Sequence, residues 1–416
     1  MKAPQAAVLA ALLAGAPAAL ADDVVIAAAG DIACDPVDAH YNGGAGTAAA
    51  CRMKATSDLL VGANYDAVLL LGDIQYVDGA LWKFRTSFDL TWGRLGPLLR
   101  PVPGNHEYVI PGASGYFDYF GPAAASRSRG YYSFDLGSWH VIALNSNCNA
   151  IGGCGPGSTQ LRWLEADLAA HPGVCTLAYW HHPRFSSGLH GDDPNFDGFW
   201  RALYAAGADV VLVGHDHNYE RFAPQDAQGR ADPARGLRQF VVGTGGHSLR
   251  PFGVIRPNSV ARNSRDYGVL EMTLRPTGYD WEFLPAAGGT FTDRGSATCH
   301  NPRDPGRLSL DGGRFEARVT WKDFAGNTGA GTVVPVTSPD SGLFWFFHPD
   351  NWELMVKVLD GCASNGHHWV FAAATTNVEY VLTVTDTWTR KTRTYENPLG
   401  RTSPAITDTA AFPDCP

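Results

Sequence analysis

The sequence predicts an α/β domain followed by a smaller all-β domain. Three observations carry that prediction. Up to about residue 245, short apolar runs end in glycine and then a polar residue, with amphipathic stretches between them. Continuous apolar runs of this kind suit strands covered on both faces. Beyond residue 307 apolar and polar residues alternate instead, between turn residues and without a convincing helix. That is the pattern of half-buried antiparallel strands.

The elements follow in order. Residues 1–21 carry Lys2, an apolar core at 6–14 and the small-x-small triplet Ala19-Leu20-Ala21. This reads as a secretory signal peptide, too short to span a bilayer, with Asp22 as the mature start. A strand at 24–29 closes at Gly30-Asp31, and a second at 65–71 closes at Gly72-Asp73. With a helix at 53–61 between them, they read as a βαβ unit. Pro101-Val102-Pro103 leads into Gly104-Asn105-His106-Glu107. Residues 131–136 and 139–145 read as paired strands. Residues 159–170 read as a helix with Leu161, Leu164 and Leu168 on one face. A strand at 174–180 runs into His181-His182-Pro183, a helix follows at 196–206, and a strand at 208–213 ends in Gly214 and His215-Asp216-His217. The last strand of the series, 239–243, enters the tight turn Thr244-Gly245-Gly246, which lacks the lysine of a nucleotide-binding loop. His247 beyond it reads as a solvated loop residue.

These elements place the first domain at 22–298 and a polar linker at 299–307. A β-sandwich follows at 308–416, with strands at 314–321, 343–347, 354–359, 369–373 and 380–386. Exposed aromatics there, such as Trp388, are either packing residues or a contact surface for glycans or a cell surface. The chain has 416 residues, 45% hydrophobic and 18% charged, with a net charge of -9. An acidic chain without a basic face argues against a nucleic-acid partner, and no run after the leader is apolar enough to span a membrane. Eight cysteines behind a leader indicate disulfides in a secreted or periplasmic protein, and no Cys-x-x-Cys pair offers a thiolate metal site. Spacing favours Cys34–Cys51, Cys148–Cys154 and Cys362–Cys415, which leaves Cys175–Cys299.

Five strand ends carry ligand-type side chains: Asp31, Asp73, Asn105, His181, and the pair His215 and His217. In open α/β sheets, ligands gather beyond the carboxyl ends of strands. One Gly-Asp after a strand is ordinarily a turn. Five such ends in order, offering carboxylate, amide and imidazole, indicate a site for two metal ions. Such a pair clamps the attacking and leaving oxygens of a phosphoryl displacement.

In sequence order, Gly30-Asp31, Gly72-Asp73, Gly104-Asn105-His106, His181 and Gly214-His215-Asp216-His217 resemble the motifs of the calcineurin-like metallophosphoesterase superfamily. Tyr76, three residues after Asp73, and Tyr219-Glu220-Arg221 after the His-x-His make the resemblance closest to purple acid phosphatases and related secreted bacterial enzymes. It covers roughly residues 24–284. It implies a four-layer α/β/β/α sandwich and a secreted phosphatase that hydrolyses phosphate monoesters of small molecules by attack of a metal-bound hydroxide. By resemblance one ion takes Asp31, Asp73, Tyr76 and His217, and the other takes Asp73, Asn105, His181 and His215. A tyrosinate ligand suggests Fe(III) at the Tyr76 site, with Zn, Mn or Fe(II) beside it. His182 is then a supporting residue. By resemblance His106 matches a supporting histidine near the phosphate and His190 a histidine that faces substrate, either able to protonate the leaving group. His190 lies on a Gly- and Ser-containing loop at 185–191 open to movement, and a solvated loop residue is its other reading. Two alternatives stay open: phosphodiesterase action on a nucleotide or phospholipid-type ester, and a surface-binding protein with an inactive enzyme domain.

Overall fold

The computed structural model describes residues 23–300, 306–334 and 338–415. The leader read at 1–21 and residues 301–305 of the expected linker lie outside them. The chain divides into two compact units, Met1–Asn301 and Pro302–Pro416.

The strands of the first unit are Val24–Ala29 (β1), Ala67–Leu71 (β2), Leu99–Val102 (β3), Tyr132–Leu136 (β4), Trp139–Ala143 (β5), Cys175–Tyr179 (β6) and Val210–Val213 (β7). Tyr219–Phe222 (β8), Arg238–Val242 (β9), Ser259–Asn263 (β10), Gly268–Arg275 (β11), Gly278–Pro285 (β12) and Arg294–Thr298 (β13) complete the set. They form two mixed sheets, in the orders β13-β12-β11-β1-β2-β3 and β10-β8-β9-β7-β6-β5-β4. β1, β2 and β3 are parallel, as are β5, β6, β7 and β9. Pro101 is tolerated in β3 because β3 ends its sheet.

Alternation along the central strands decides the layering. Val141, Leu177, Tyr179, Val210, Leu212, Phe240 and Val242 pack into a core shared with the first sheet. Their neighbours Ile142, Ala178, Trp180, Val211, Val213 and Val241 join a second core with Leu161, Leu164, Leu168, Phe199, Trp200 and Leu203. The helices Thr159–Ala170 and Asp197–Ala206 supply those last six residues. Strands apolar on both faces are thus covered by a sheet on one side and helices on the other. Ser158 caps the first helix by accepting from the Leu161 N–H, and Gly207, at φ 74°, ends the second. The helix expected at 53–61 is shorter, Met53–Ser57, followed by turns up to Gly62 at φ 85°.

The antiparallel arm β10–β13 has no counterpart in the sequence reading. β11 carries an alternating pattern that the reading passed over: Met272 and Leu274 are buried while Glu271, Thr273 and Arg275 are half-buried. All four expected disulfides are present: Cys34–Cys51, Cys148–Cys154, Cys175–Cys299 and Cys362–Cys415. The Cys299 N–H donates to Thr277 O and the His300 N–H to Asp209 Oδ1. Both residues, read as the start of the linker, therefore sit in the first unit.

The second unit holds two antiparallel sheets of five strands each. Phe315, Ala317, Val319, Leu382 and Val384 of one meet Phe344, Phe346, Val356, Val358 and Val370 of the other in a single core. Trp388 lies outside that core. It is 71% exposed and covers the Arg314 guanidinium at 4.6 Å, so it packs at the surface and not in the core.

Candidate active site

The seven candidate ligands follow the carboxyl ends of five parallel strands. Asp31 lies beyond β1, Asp73 and Tyr76 beyond β2, Asn105 beyond β3, His181 beyond β6, and His215 and His217 beyond β7. Gly30 N–H donates to Val242 O and Gly245 N–H to Gly30 O, joining the two sheets at this rim. Three of the seven hold left-handed backbone: Asp31 at φ 60°, Asp73 at φ 47° and His215 at φ 71°. Non-glycine residues in that region store strain, and such strain collects at functional sites.

The side chains converge in two groups. In the first, the Tyr76 hydroxyl is 2.8 Å from Asp31 Oδ1, 3.1 Å from Asp73 Oδ2 and 3.0 Å from His217 Nε2. His217 Nε2 is 3.3 Å from Asp31 Oδ1. In the second, His181 Nε2 is 3.3 Å from Asp73 Oδ2, 3.2 Å from Asn105 Oδ1 and 3.2 Å from His215 Nδ1. Asp73 Oδ2 belongs to both. Glycines make room for this approach. A Cβ on Gly104 would lie 2.1 Å from Asp73 Oδ1, and one on Gly214 would lie 2.8 Å from Asp31 Oδ2.

The donor chemistry fits metal ions. His181 Nδ1–H donates to the Leu71 carbonyl at 2.8 Å. Neutral His181 therefore turns the Nε2 lone pair toward a carboxylate oxygen, an amide oxygen and a second imidazole. Electron-rich atoms this close and this buried need a positive charge among them. Burial opposes a charged His181, but Asp73 overrides it and pushes the imidazole up to about 9. Burial likewise favours neutral Asp73, yet His181 and His106 hold its carboxyl well below the usual range. Burial and the two facing carboxylates raise the Tyr76 phenol well above its ordinary value. With the Asp31 and Asp73 carboxylates both facing its hydroxyl, Tyr76 would ionise only beside a highly charged cation that stabilises the phenolate.

A second ring of residues holds these groups. Glu107 is fully buried and accepts from the N–H groups of Ile74, Gln75 and Gly104, tying the Asp73 and Asn105 loops together. Burial and the Asp73 charge push it up to about 7. His106 N–H donates to Asp73 Oδ1 at 2.9 Å, and its Nδ1–H to Val77 O at 2.6 Å. His182 Nδ1 meets Ser146 Oγ at 2.8 Å, and burial pushes its imidazole down to about 3. The His190 ring lies 4.0 Å from that of His215.

His247 is not the solvated loop residue expected. Its ring stacks on Tyr76 at 3.7 Å and 12°. Its N–H donates to Asp31 O, and burial pushes its imidazole down to about 4. Ser248 Oγ bridges it to His217, 2.9 Å from His217 Nδ1 and 3.1 Å from His247 Nδ1. Glu107, His247 and Ser248 adjoin recognised motifs, and that adjacency was their only signal in the sequence.

Residues 7–219 match the family described as calcineurin-like phosphoesterase. The chain is 30% identical over 217 residues to purple acid phosphatase 18 of Arabidopsis thaliana, covering 47% of this chain and 46% of that protein. It is 24% identical over 246 residues to the probable inactive purple acid phosphatase 1 of the same plant, covering 50% and 39%. A purple acid phosphatase from seeds of yellow lupin, Lupinus luteus, shares the fold with a TM-score of 0.55 at 19% identity, over 67% of this chain and 54% of that one. The chain spans about half the length of the curated relatives it matches.

Proposed function

Because this chain belongs to the calcineurin-like phosphoesterase family, whose members typically bind a dinuclear metal centre, we propose that it is an exported phosphatase acting on phosphate monoesters of small molecules. The convergence of two donor groups on a shared Asp73 oxygen is the observation that carries this reading. Asp31, Asp73, Tyr76 and His217 would hold one ion, Fe(III), and Asp73, Asn105, His181 and His215 a divalent ion, Zn, Mn or Fe. When bound, the pair supplies an ionisable water as nucleophile and neutralises the phosphoryl oxygens.

The chain's own groups do the rest. Asp73 lies between the sites and offsets the repulsion of two cations. The His106 backbone N–H fixes the outer Asp73 oxygen, and its side chain, 29% exposed, borders the pocket beside Tyr76 at 4.3 Å between rings. His190, next to His215, delivers a proton to the departing alcohol, a role histidine commonly fills. Four disulfides and the leader-like residues 1–21 support export into an oxidising compartment.

The test is hydrolysis of an aryl phosphate monoester beside an aryl phosphate diester, with metals measured on the same protein. Monoester turnover with two ions per chain and a visible tyrosinate band that disappears in Tyr76→Phe is the expected result. Preference for the diester would make it a phosphodiesterase. Turnover of neither by metal-replete protein would place it with inactive relatives. Colourless, active protein holding two zinc ions would remove Fe(III) from the Tyr76 site.

A further inference from the structure

We infer that Asp216 is a positioning residue that aims His190 at the leaving group, fitting the site to esters of unactivated alcohols. This rests on the phosphatase reading above. Asp216 stands between His215 and His217 in sequence, yet its carboxylate is taken up by the loop 186–190. It is 1% exposed, and a buried carboxylate requires donors. Among the described residues, its side-chain partners all come from that loop. The Ser186 hydroxyl donates to Oδ2, while the His190 backbone N–H at 3.1 Å and Nδ1–H at 2.8 Å donate to Oδ1. Gly188 completes the wrap, since a Cβ there would lie 2.1 Å from Asp216 Cγ.

Hydrogen bonds also tie this loop to its neighbours. Ser187 N–H donates to Glu220 Oε2, Gly253 N–H to Ser187 O, and Arg256 N–H to Ser187 Oγ. His190 itself is 39% exposed, and its ring lies against that of His215 at 4.0 Å. The Asp216 contact fixes its ring plane and its tautomer together. A carboxylate only accepts, so Nδ1 carries the hydrogen toward Asp216 and Nε2 is left for substrate. Holding a reacting group in one orientation is itself a large share of catalysis.

In the reaction, a water oxygen forms the new bond to phosphorus as the ester P–O bond breaks. Starting from the doubly protonated ring, the departing oxygen takes the Nε2 proton and leaves the neutral Nδ1–H form held by Asp216, and solvent later restores the proton. Phosphate and alcohol are the products. An alkyl leaving group needs that proton, and a nitrophenyl group leaves without it. Positioning of His190 therefore matters only for the first class.

Turnover of an alkyl phosphate and of 4-nitrophenyl phosphate, with metal content, tests the idea in wild type, D216A, D216N, H190A and D216A/H190A. D216A should lose about 100-fold in kcat on the alkyl ester, within the range for a lost general acid, and far less on the nitrophenyl ester. The double variant should be no worse than H190A, because Asp216 acts through His190. D216N keeps an accepting oxygen and should recover most of the loss. If D216A does not fold, S186A should show the same selectivity to a smaller degree. Equal losses on both esters, multiplying losses in the double variant, or metal missing from folded D216A would overturn the inference while leaving the phosphatase reading intact. Wild-type protein inert toward both esters would overturn both.

Discussion

At the scale of single residues, the site depends on where side chains are missing as much as on where they are present. Asp73 is the group on which both donor sets meet, and Gly104 is the reason it fits. A Cβ at Gly104 would lie 2.1 Å from Asp73 Oδ1 and 2.2 Å from the Asp73 nitrogen. Backbone cannot swing aside as a flexible side chain can, so the clash must be relieved by moving the Asp73 loop. Gly104→Ala should lower stability by about 1–3 kcal/mol, the usual cost of overpacking, and release metal. Thermal unfolding and elemental analysis check it; an unchanged melting point with full metal content would contradict the proposed role of Asp73. Tyr76 illustrates the complementary case. Its phenol is buried, faces two carboxylates and carries His247 on its ring, so its charge state is set by its surroundings and not by its own chemistry.

At the scale of elements, the docking of the helix Thr159–Ala170 on the sheet edge includes an ionic clamp. His140 on β5 is 1% exposed. Its Nδ1 is 2.9 Å from Asp135 Oδ1 on β4, and its Nε2 is 2.8 Å from Asp167 Oδ2 on the helix. Ser133 Oγ also donates to Asp167, and His171 stacks on His140 at 3.8 Å. Burial pushes the imidazole down, but the two carboxylates outweigh it and raise His140 above its ordinary 6.5. Burial favours neutral Asp167, but His140 and Ser133 hold it below its ordinary 3.8. A raised histidine stabilises fully below its unfolded value and loses that contribution as pH rises through the folded one. A depressed carboxylate contributes above its unfolded value and is lost as pH falls through the folded one. The clamp is therefore complete between about pH 4 and 6.5 and weakens above. The melting temperature of wild type minus that of His140→Gln should be greatest in that window and shrink as pH rises. A difference that does not vary with pH would mean the clamp carries no charge.

At the scale of the whole molecule, the chain forms two compact units with separate cores, and all seven proposed ligands lie in the first. Ions bound only by that unit stabilise only that unit. At 100-fold excess over the dissociation constant each ion adds about 2.7 kcal/mol, or roughly 5–10 °C per ion for a unit of this size. Scanning calorimetry with and without a chelator should move one transition and leave the other in place. Equal movement of both would mean that the units unfold together. Much of this architecture was legible because it is local. A strand apolar on both faces is recognised within six residues, and a glycine at its end forces the turn that presents the next side chain. Asp31, Asp73 and His215 are placed in this way, with His217 two residues on, whereas His181 follows Trp180 without a glycine. The antiparallel arm escaped notice because its half-covered strands resemble loops until a neighbouring strand pairs with them. What the tertiary structure alone decided were contacts between distant positions: His247 on Tyr76, Asp216 under His190, and His140 between two carboxylates. The sequence by itself determined the strand ends and the groups they carry, since both follow from backbone preferences a few residues long. Which polar residue would support which catalytic one waited on packing, because a hydrogen bond between segments exists only once the core has brought them together.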